Sequence, residues 1–127
     1  MTEPRYAAGD LLALARALFS KAGLEADKAE AVATYLVEAD LMGHSTHGLA
    51  LAGWYLQGIA DGVVTKTGTY DVVSDKGPAV CWNGNRLPGA WLTCEAVKLA
   101  TERAAKFGTA TMVPITCAAA SGEKRPF

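Results

Sequence analysis

ADLMGHSTHGLALAGWY, residues 39–55, carries both histidines of the chain and decides how its first half folds. Apolar residues recur at helical spacing before and after it, so the polar turn over residues 43–48 is predicted to join two helices. Ser45 or Thr46 is predicted to cap the following helix, because a hydroxyl oxygen can accept a hydrogen bond from an otherwise unpaired helical N–H group. His47 would then lie in the first turn of that helix.

Apolar residues recur with a regular period on both sides of this turn. Glycine ends each apolar helical run in the first half, and beyond Gly62 the chain turns rich in Val, Thr and Tyr. In order, the predicted elements are helices over residues 9–22, 26–42 and about 46–61, strands over 63–75 and 79–82, a helix over 88–107 and a strand over 109–115. The predicted fold class is α/β with an α+β start, in which a three-helix layer precedes short strands and a long helix.

The helical spacing also predicts which side chains face the core. On the second helix Lys28 is predicted to lie off the apolar stripe, which is formed mainly by Val32 and Leu36. The apolar face of the first helix is predicted to consist of Leu11, Leu14, Ala15, Leu18 and Phe19.

The chain divides into three segments. Residues 1–62 are predicted to form an N-terminal helical segment, and residues 63–115 the beginning of an α/β domain. Residues 116–127, TCAAASGEKRPF, show neither helical nor strand periodicity. Because the helix over 88–107 and the strand after it resemble half of a larger unit, we expect a truncated or frame-shifted fragment with apolar surface left exposed.

Composition excludes several classes of function. The 127 residues include 20% charged residues and carry a formal net charge of -1, too little positive charge for a nucleic-acid-binding face. No apolar run is long enough to span a membrane. The three cysteines are widely spaced and contain no C-x-x-C pair, so they are predicted to be free buried thiols of a cytoplasmic protein.

The spacing of the histidines leaves their role open. His44 and His47 could share one face, but no carboxylate or cysteine stands at metal-ligand spacing beside them, so no metal site is predicted. From spacing alone, a helix cap followed by a solvated histidine is a more common arrangement than a functional histidine.

The same stretch resembles the first signature of the malate/L-lactate dehydrogenase type-2 family, which also includes ureidoglycolate and sulfolactate dehydrogenases. That signature reads A-D-x-x-G-x-x-S-H-G, with a tyrosine or phenylalanine eight residues after the histidine. The matching residues are Ala39, Asp40, Gly43, His47, Gly48, Tyr55 and the helix-closing Gly62, with Thr46 in place of serine. The family's cofactor domain is not a Rossmann fold, and no G-x-G-x-x-G follows a strand in this chain.

The resemblance implies hydride transfer between NAD or NADP and the C2 carbon of a small 2-hydroxy or 2-oxo acid. It implies that His47 exchanges a proton with the C2 oxygen and that Thr46 orients the His47 ring. Substrate contacts would come from His44, Ser45 and Tyr55. The cofactor contacts would lie beyond the end of this chain, and the complete enzyme would be a homodimer.

This chain departs from the family pattern in two places that bear on activity. Leu51 occupies a position where many members have an arginine able to bind the substrate carboxylate. Residues 116–122, TCAAASG, stand where the family has a second signature of S-x-H-x-G type. We therefore expect a fragment inactive on its own. The alternative is a non-catalytic helical interaction module or remnant.

Overall fold

The computed structural model describes residues 4–116 and confirms the predicted fold class and order of elements. The helices are α1 (Ala8–Lys21), α2 (Ala26–Leu41), α3 (Ala52–Ala60) and α4 (Gly89–Phe107), the strands are β1 (Asp71–Asp75), β2 (Ala79–Asn83) and β3 (Thr111–Ile115), and two short 3-10 turns span Ser45–His47 and Leu49–Leu51. Within residues 4–116, no helix is long and apolar enough to cross a bilayer. The predicted tail over residues 116–127 lies outside the described residues except for Thr116.

Two predicted elements are shorter than the sequence pattern indicated. The third helix does not begin near Thr46, because two 3-10 turns come first and Gly48 lies between them with an extended ψ of -152°. The strand predicted over 63–75 is confined to Asp71–Asp75, since residues 63–70 form a loop. In this loop Val63 and Val64 both donate backbone hydrogen bonds to the carbonyl of Gly58 at the end of α3. The domain boundary at residue 62 stays a prediction.

The helical layer buries one continuous core. Its largest fully buried hydrophobic members are Phe19, Leu36 and Ile59, each at least 99% buried, and the ring of Phe19 meets that of Tyr55 edge-on at 6.1 Å. Ala15 and Phe19 are buried as predicted, but Leu14 and Leu18 are exposed. The prediction for these two leucines is wrong because each lies one residue before a buried position, which turns it by about 100° around the helix and off the buried stripe.

The sheet has the order β1-β2-β3, with an antiparallel first pair and a parallel second pair. Helix α4 forms the crossover that a parallel pair requires. Trp82 of β2 is buried and stacks on Tyr70 with ring centroids 3.7 Å apart, and Trp91 of α4 is also buried. The prediction that the cysteines are buried is wrong for Cys94, which is exposed, and Cys81 is only half-buried.

Lys28 joins the helical layer to α4. Its side chain is only 2% exposed, although its position was predicted to lie off the apolar stripe. The Nζ atom lies 2.6 Å from Glu25 Oε2 and 4.2 Å from the centroid of the Trp91 ring. The methylene stem is buried while the ammonium keeps a carboxylate and an aromatic face as partners, which is the arrangement that makes lysine burial tolerable.

Glu25 extends the same connection to the loop after α3. Its Oε2 atom also accepts a hydrogen bond from the backbone N–H of Gly68 at 3.1 Å, and its own N–H donates to the carbonyl of Lys66. The hydrogen bond from Lys28 lowers the pKa of the Glu25 carboxyl, and the bond from Gly68 adds to this effect. One exposed carboxylate thereby links α2, the loop and, through Lys28, helix α4.

We expect Lys28→Ala to lower the free energy of unfolding by about 2–4 kcal/mol, because it empties the space beneath Trp91. Lys28→Met keeps most of that volume without burying a charge and is expected to cost less than about 1.5 kcal/mol. Urea unfolding followed by tryptophan fluorescence measures both, with the exposed Lys21→Ala as control. Equal losses for the two Lys28 variants would contradict the packing explanation.

The Glu25 interaction is also expected to shape the acid stability. Because the folded-state pKa is lowered, its contribution is complete above the ordinary pKa of a glutamate and is lost as the pH falls through the lowered value. Glu25→Gln should therefore be less stable than the unmodified chain at about pH 7, and the difference should shrink toward about pH 3. Glu102→Gln, at an exposed position of α4, is the control. A pH-independent difference would show that ionisation of Glu25 is irrelevant.

Candidate active site

The histidine turn begins where α2 ends. The backbone N–H of His44 donates to the carbonyl of Ala39 at 2.8 Å, and Gly43 adopts the left-handed φ of +80° that this kind of helix end requires. The N–H of His47 then donates to the carbonyl of His44 at 2.8 Å, which closes the first 3-10 turn. The near end of the turn is thus fixed by backbone bonds to α2.

Asp40 fixes the far end. Its Oδ2 atom accepts a hydrogen bond from the backbone N–H of Leu49 at 2.9 Å, across nine residues of chain. The Cα atom of Gly48 lies so close that a Cβ atom at this position would overlap the carboxylate of Asp40. The φ of Gly48 is -91°, which any residue can adopt, so space and not backbone conformation requires glycine here.

Asp40 therefore caps the segment that Ser45 or Thr46 was predicted to cap. Neither hydroxyl caps a helical N–H group, and His47 belongs to a 3-10 turn five residues before α3 begins. The predicted position of His47 in the first turn of an α-helix is wrong for this reason. An aspartate near the end of one helix, nine residues before an unpaired N–H, is not a recognisable capping spacing, so no capping pattern in the sequence indicates this bond.

His47 is exposed and touches the hydroxyl of Thr46. The Thr46 Oγ1 and His47 Nδ1 atoms lie 3.0 Å apart, and their donor and acceptor roles depend on the tautomer of the ring. This contact holds one ring nitrogen, while Nε2 makes no hydrogen bond to the residues that the structure describes. The role of Thr46 in orienting His47 stays a prediction.

A cavity of about 260 Å³ opens beside His47. Its wall is formed by Tyr35, Glu38, Ala39, Met42, His44 and His47. The structure therefore brings His44 and His47 together, but it leaves Ser45 and Tyr55 outside the cavity. Tyr35, Glu38 and Met42 were missed by the sequence analysis, although their spacing from Ala39 places all four on one face of α2.

Tyr55 instead belongs to the helical core. Its side chain is 93% buried against Phe19, and it reaches a second, larger groove of about 710 Å³ between α2 and α4. Burial raises the pKa of the Tyr55 hydroxyl, and the neighbouring Tyr35 adds to this effect. The hydroxyl therefore stays neutral at physiological pH.

The wall of the His47 cavity carries one carboxylate and no permanent cation. Of its six residues Glu38 bears a negative charge, and no Lys or Arg from residues 4–116 lines the cavity. Leu51, which stands where the family pattern often has an arginine, packs against the helical core. Among the described residues no group of three or more His, Cys, Asp or Glu could hold a metal ion. The described wall therefore offers two imidazole rings and one carboxylate, but no Lys or Arg, to a ligand in the cavity.

A family sequence model for malate/L-lactate dehydrogenases matches residues 6–119, which is most of the chain. The chain belongs to the malate/L-lactate dehydrogenase family. It is 31% identical over 108 residues to hydroxycarboxylate dehydrogenase B of Escherichia coli O157:H7, a match that covers 85% of this chain and 30% of that protein. It is 30% identical over 86 residues to the malate/(S)-sulfolactate dehydrogenase of Methanothermus fervidus, covering 68% and 25% respectively.

Solved structures share the fold of this family member. The malate dehydrogenase from Pyrococcus horikoshii OT3 superposes with a TM-score of 0.87 at 24% identity, over 90% of this chain and 33% of that one. The sulfolactate dehydrogenase from Methanocaldococcus jannaschii gives 0.83 at 20% identity, over 87% and 32%. At these identities the likeness shows the fold alone. The chain spans about a third of the length of these relatives.

We expect Thr46→Val to change the ratio of the two neutral tautomers of His47, because it removes the oxygen that contacts Nδ1. Thr46→Ser keeps the oxygen and should leave the ratio nearly unchanged. Ring ¹⁵N chemical shifts measure the ratio directly, and assignment is simple because the chain has two histidines. His44 serves as the internal control. An unchanged His47 spectrum in Thr46→Val would show that the contact does not orient the ring.

Proposed function

We propose that residues 39–55 form the proton-transferring part of an NAD- or NADP-dependent dehydrogenase acting on a small 2-hydroxy or 2-oxo acid. The observation that carries the proposal is the arrangement of His47, whose Nδ1 atom contacts Thr46 while its other nitrogen is free to meet a ligand. An imidazole is suited to general acid–base catalysis near neutral pH. The family to which the chain belongs supports the reaction class.

His47 would supply or remove the proton on the C2 oxygen. When the ring is protonated, its Nδ1–H can donate to Thr46 Oγ1 while Nε2–H gives its proton to the oxygen of a carbonyl being reduced. The ring is then left neutral, with its Nδ1 proton still hydrogen-bonded to Thr46. In the oxidation direction Nε2 takes the hydroxyl proton, and the same contact with Thr46 stabilises the charged ring that results.

The proposal includes a nicotinamide cofactor, but the described residues do not form a site for its pyrophosphate. A dinucleotide pyrophosphate needs cations or a row of free backbone N–H groups. The His47 cavity offers neither, and the larger groove is rimmed by Asp27, Glu30, Glu38 and Glu95 against Lys98 alone. We therefore assign cofactor binding to no residue of 4–116 and derive only proton chemistry from this chain.

The proposed substrate contacts differ in how well geometry supports them. His44 lines the same cavity as His47 and can hydrogen-bond a ligand there. Glu38 on the same wall would repel a carboxylate, so the substrate carboxylate would have to face away from it. Ser45 and Tyr55 remain proposals without support from the cavity.

A cytoplasmic location also belongs to the proposal and rests on the free thiols Cys81 and Cys94.

The function is tested in a chimera, in which residues 1–115 of this chain replace the equivalent part of the Escherichia coli hydroxycarboxylate dehydrogenase. His47→Asn removes the proton-transferring group while keeping a polar side chain, and we expect it to lower kcat by about 10²–10⁴-fold with little change in the KM for the cofactor. His44→Asn is the matched control and should act mainly on the KM for the 2-oxo acid. Unchanged turnover in His47→Asn would refute the role of His47.

The alternative, a helical interaction module without catalysis, is favoured by the apolar side chains left exposed. Leu41, Met42 and Trp54 are each more than 60% exposed, and they belong to α2, its end and α3. Such side chains are a common basis for association between chains, and they also support the proposed homodimer.

We expect the isolated chain to associate as its concentration rises, because burying these apolar side chains is favourable. Multi-angle light scattering over a concentration series measures the mass. Replacing Trp54 and Met42 by serine should weaken the association, whereas serine at the less exposed Phe107 serves as control. A chain that stays monomeric at high concentration would exclude association through this surface.

A further inference from the structure

The turn that carries His47 is held at its two ends by different kinds of bond. At the near end the N–H of His44 donates to a backbone carbonyl of α2, a bond that no side-chain substitution removes. At the far end the hydrogen bond from Leu49 to Asp40 is a side-chain bond. Ser45, Thr46 and His47 lie between these ends, and all three are exposed.

Within the turn, the backbone bonds are local. The N–H of His47 bonds the carbonyl of His44, and the N–H of Gly48 bonds the carbonyl of Ser45 at 3.2 Å. Bonds of this kind fix the shape of a turn but not its position relative to the helix beside it. Relative to α2, the turn is held by the His44 bond at one end. At the other end it is held by the contact of Asp40 with Gly48 and Leu49, together with the packing of the Leu49 side chain against the helical core.

The fit at the far end is specific. The carboxylate of Asp40 occupies the place where any side chain at residue 48 would begin, so the two positions are sterically coupled. It also satisfies the Leu49 N–H, which starts a 3-10 turn and has no partner within that turn. A single side chain thus accounts for both the close approach and the hydrogen bond.

We propose that Asp40 is a positioning residue, which acts through Gly48 and Leu49 to hold the His47 ring against the cavity wall formed by α2. Its importance for catalysis rests on the proposed function, since only a reacting histidine needs a fixed ring. The positioning itself does not rest on the proposed function, because it is a property of the folded turn. In this role Asp40 acts only through its hydrogen bond with the Leu49 N–H and its contact with Gly48.

The test follows the His47 ring in the chain itself by NMR. In the unmodified protein we expect nuclear Overhauser contacts between the ring and the methyl groups of Ala39 and Met42, which line the same cavity. Asp40→Ala should remove these contacts and move the tautomer ratio of His47 toward the value found for Thr46→Val. Asp40→Asn keeps an acceptor oxygen of the same reach and should restore both signals. Glu102→Ala, an exposed carboxylate lost from α4, is the matched control.

The steric contact between Asp40 and residue 48 allows a second, independent test of the His47 ring position. Gly48→Ala should also displace the His47 ring, because the added methyl group forces the carboxylate away. In the Asp40→Ala background the same substitution meets an empty space, so its further effect on the spectrum should be much smaller. This non-additivity distinguishes a direct contact from general loosening of the fold.

Several outcomes would overturn the assignment. Unchanged His47 signals in a folded Asp40→Ala protein would do so, as would a failure of Asp40→Asn to restore them. If Asp40→Ala does not fold, unchanged His47 signals in a folded Gly48→Ala protein would also overturn the assignment. Unfolding of both variants would show that the pair holds the fold as a whole and not the ring. None of these readouts involves turnover, so the proposed reaction can fail while the positioning stands, or the reverse.

Discussion

The contact of the Asp40 carboxylate with Gly48 and the Leu49 N–H ties the histidine turn to the end of α2. It lies between α2 and α3, and α3 itself packs through Tyr55 and Ile59 into the core around Phe19. Because a carboxylate replaces the usual capping hydroxyl, the polar residues of the turn are not consumed by capping. Thr46 can then contact His47, and the histidine turn faces solvent beside a cavity.

The sequence was sufficient for the elements whose signals are local. Helices α1, α2 and α4 lie within a residue or two of their predicted bounds, since apolar periodicity and a terminal glycine mark each of them. The start of α3 was wrong because Asp40 and Gly48 meet through space, which no capping pattern records. Lys28 was misplaced for a related reason, as its burial depends on Trp91 and Glu25 and not on its own helical position.

The candidate site was predictable in part. The histidines were singled out by their density in one turn, and their place in the family came from the signature around them. What the sequence could not supply was the wall opposite them. Tyr35, Glu38 and Met42 read as ordinary surface positions of α2, and only the bend at Gly43 brings them to His47. Conversely, Tyr55 has the spacing of the family signature, yet its ring is used in the core.

The parallel pairing of β2 with β3 has a consequence for how the chain folds. The contacts of the helical layer join neighbours along the sequence, since α1 packs on α2 and the histidine turn follows directly. Strand β3 pairs with β2 across the whole length of α4, so this pairing closes a long loop and bears its entropic cost. Folding should therefore begin in the helical layer. The sheet should be completed last, when Trp82 is covered by α4 and β3.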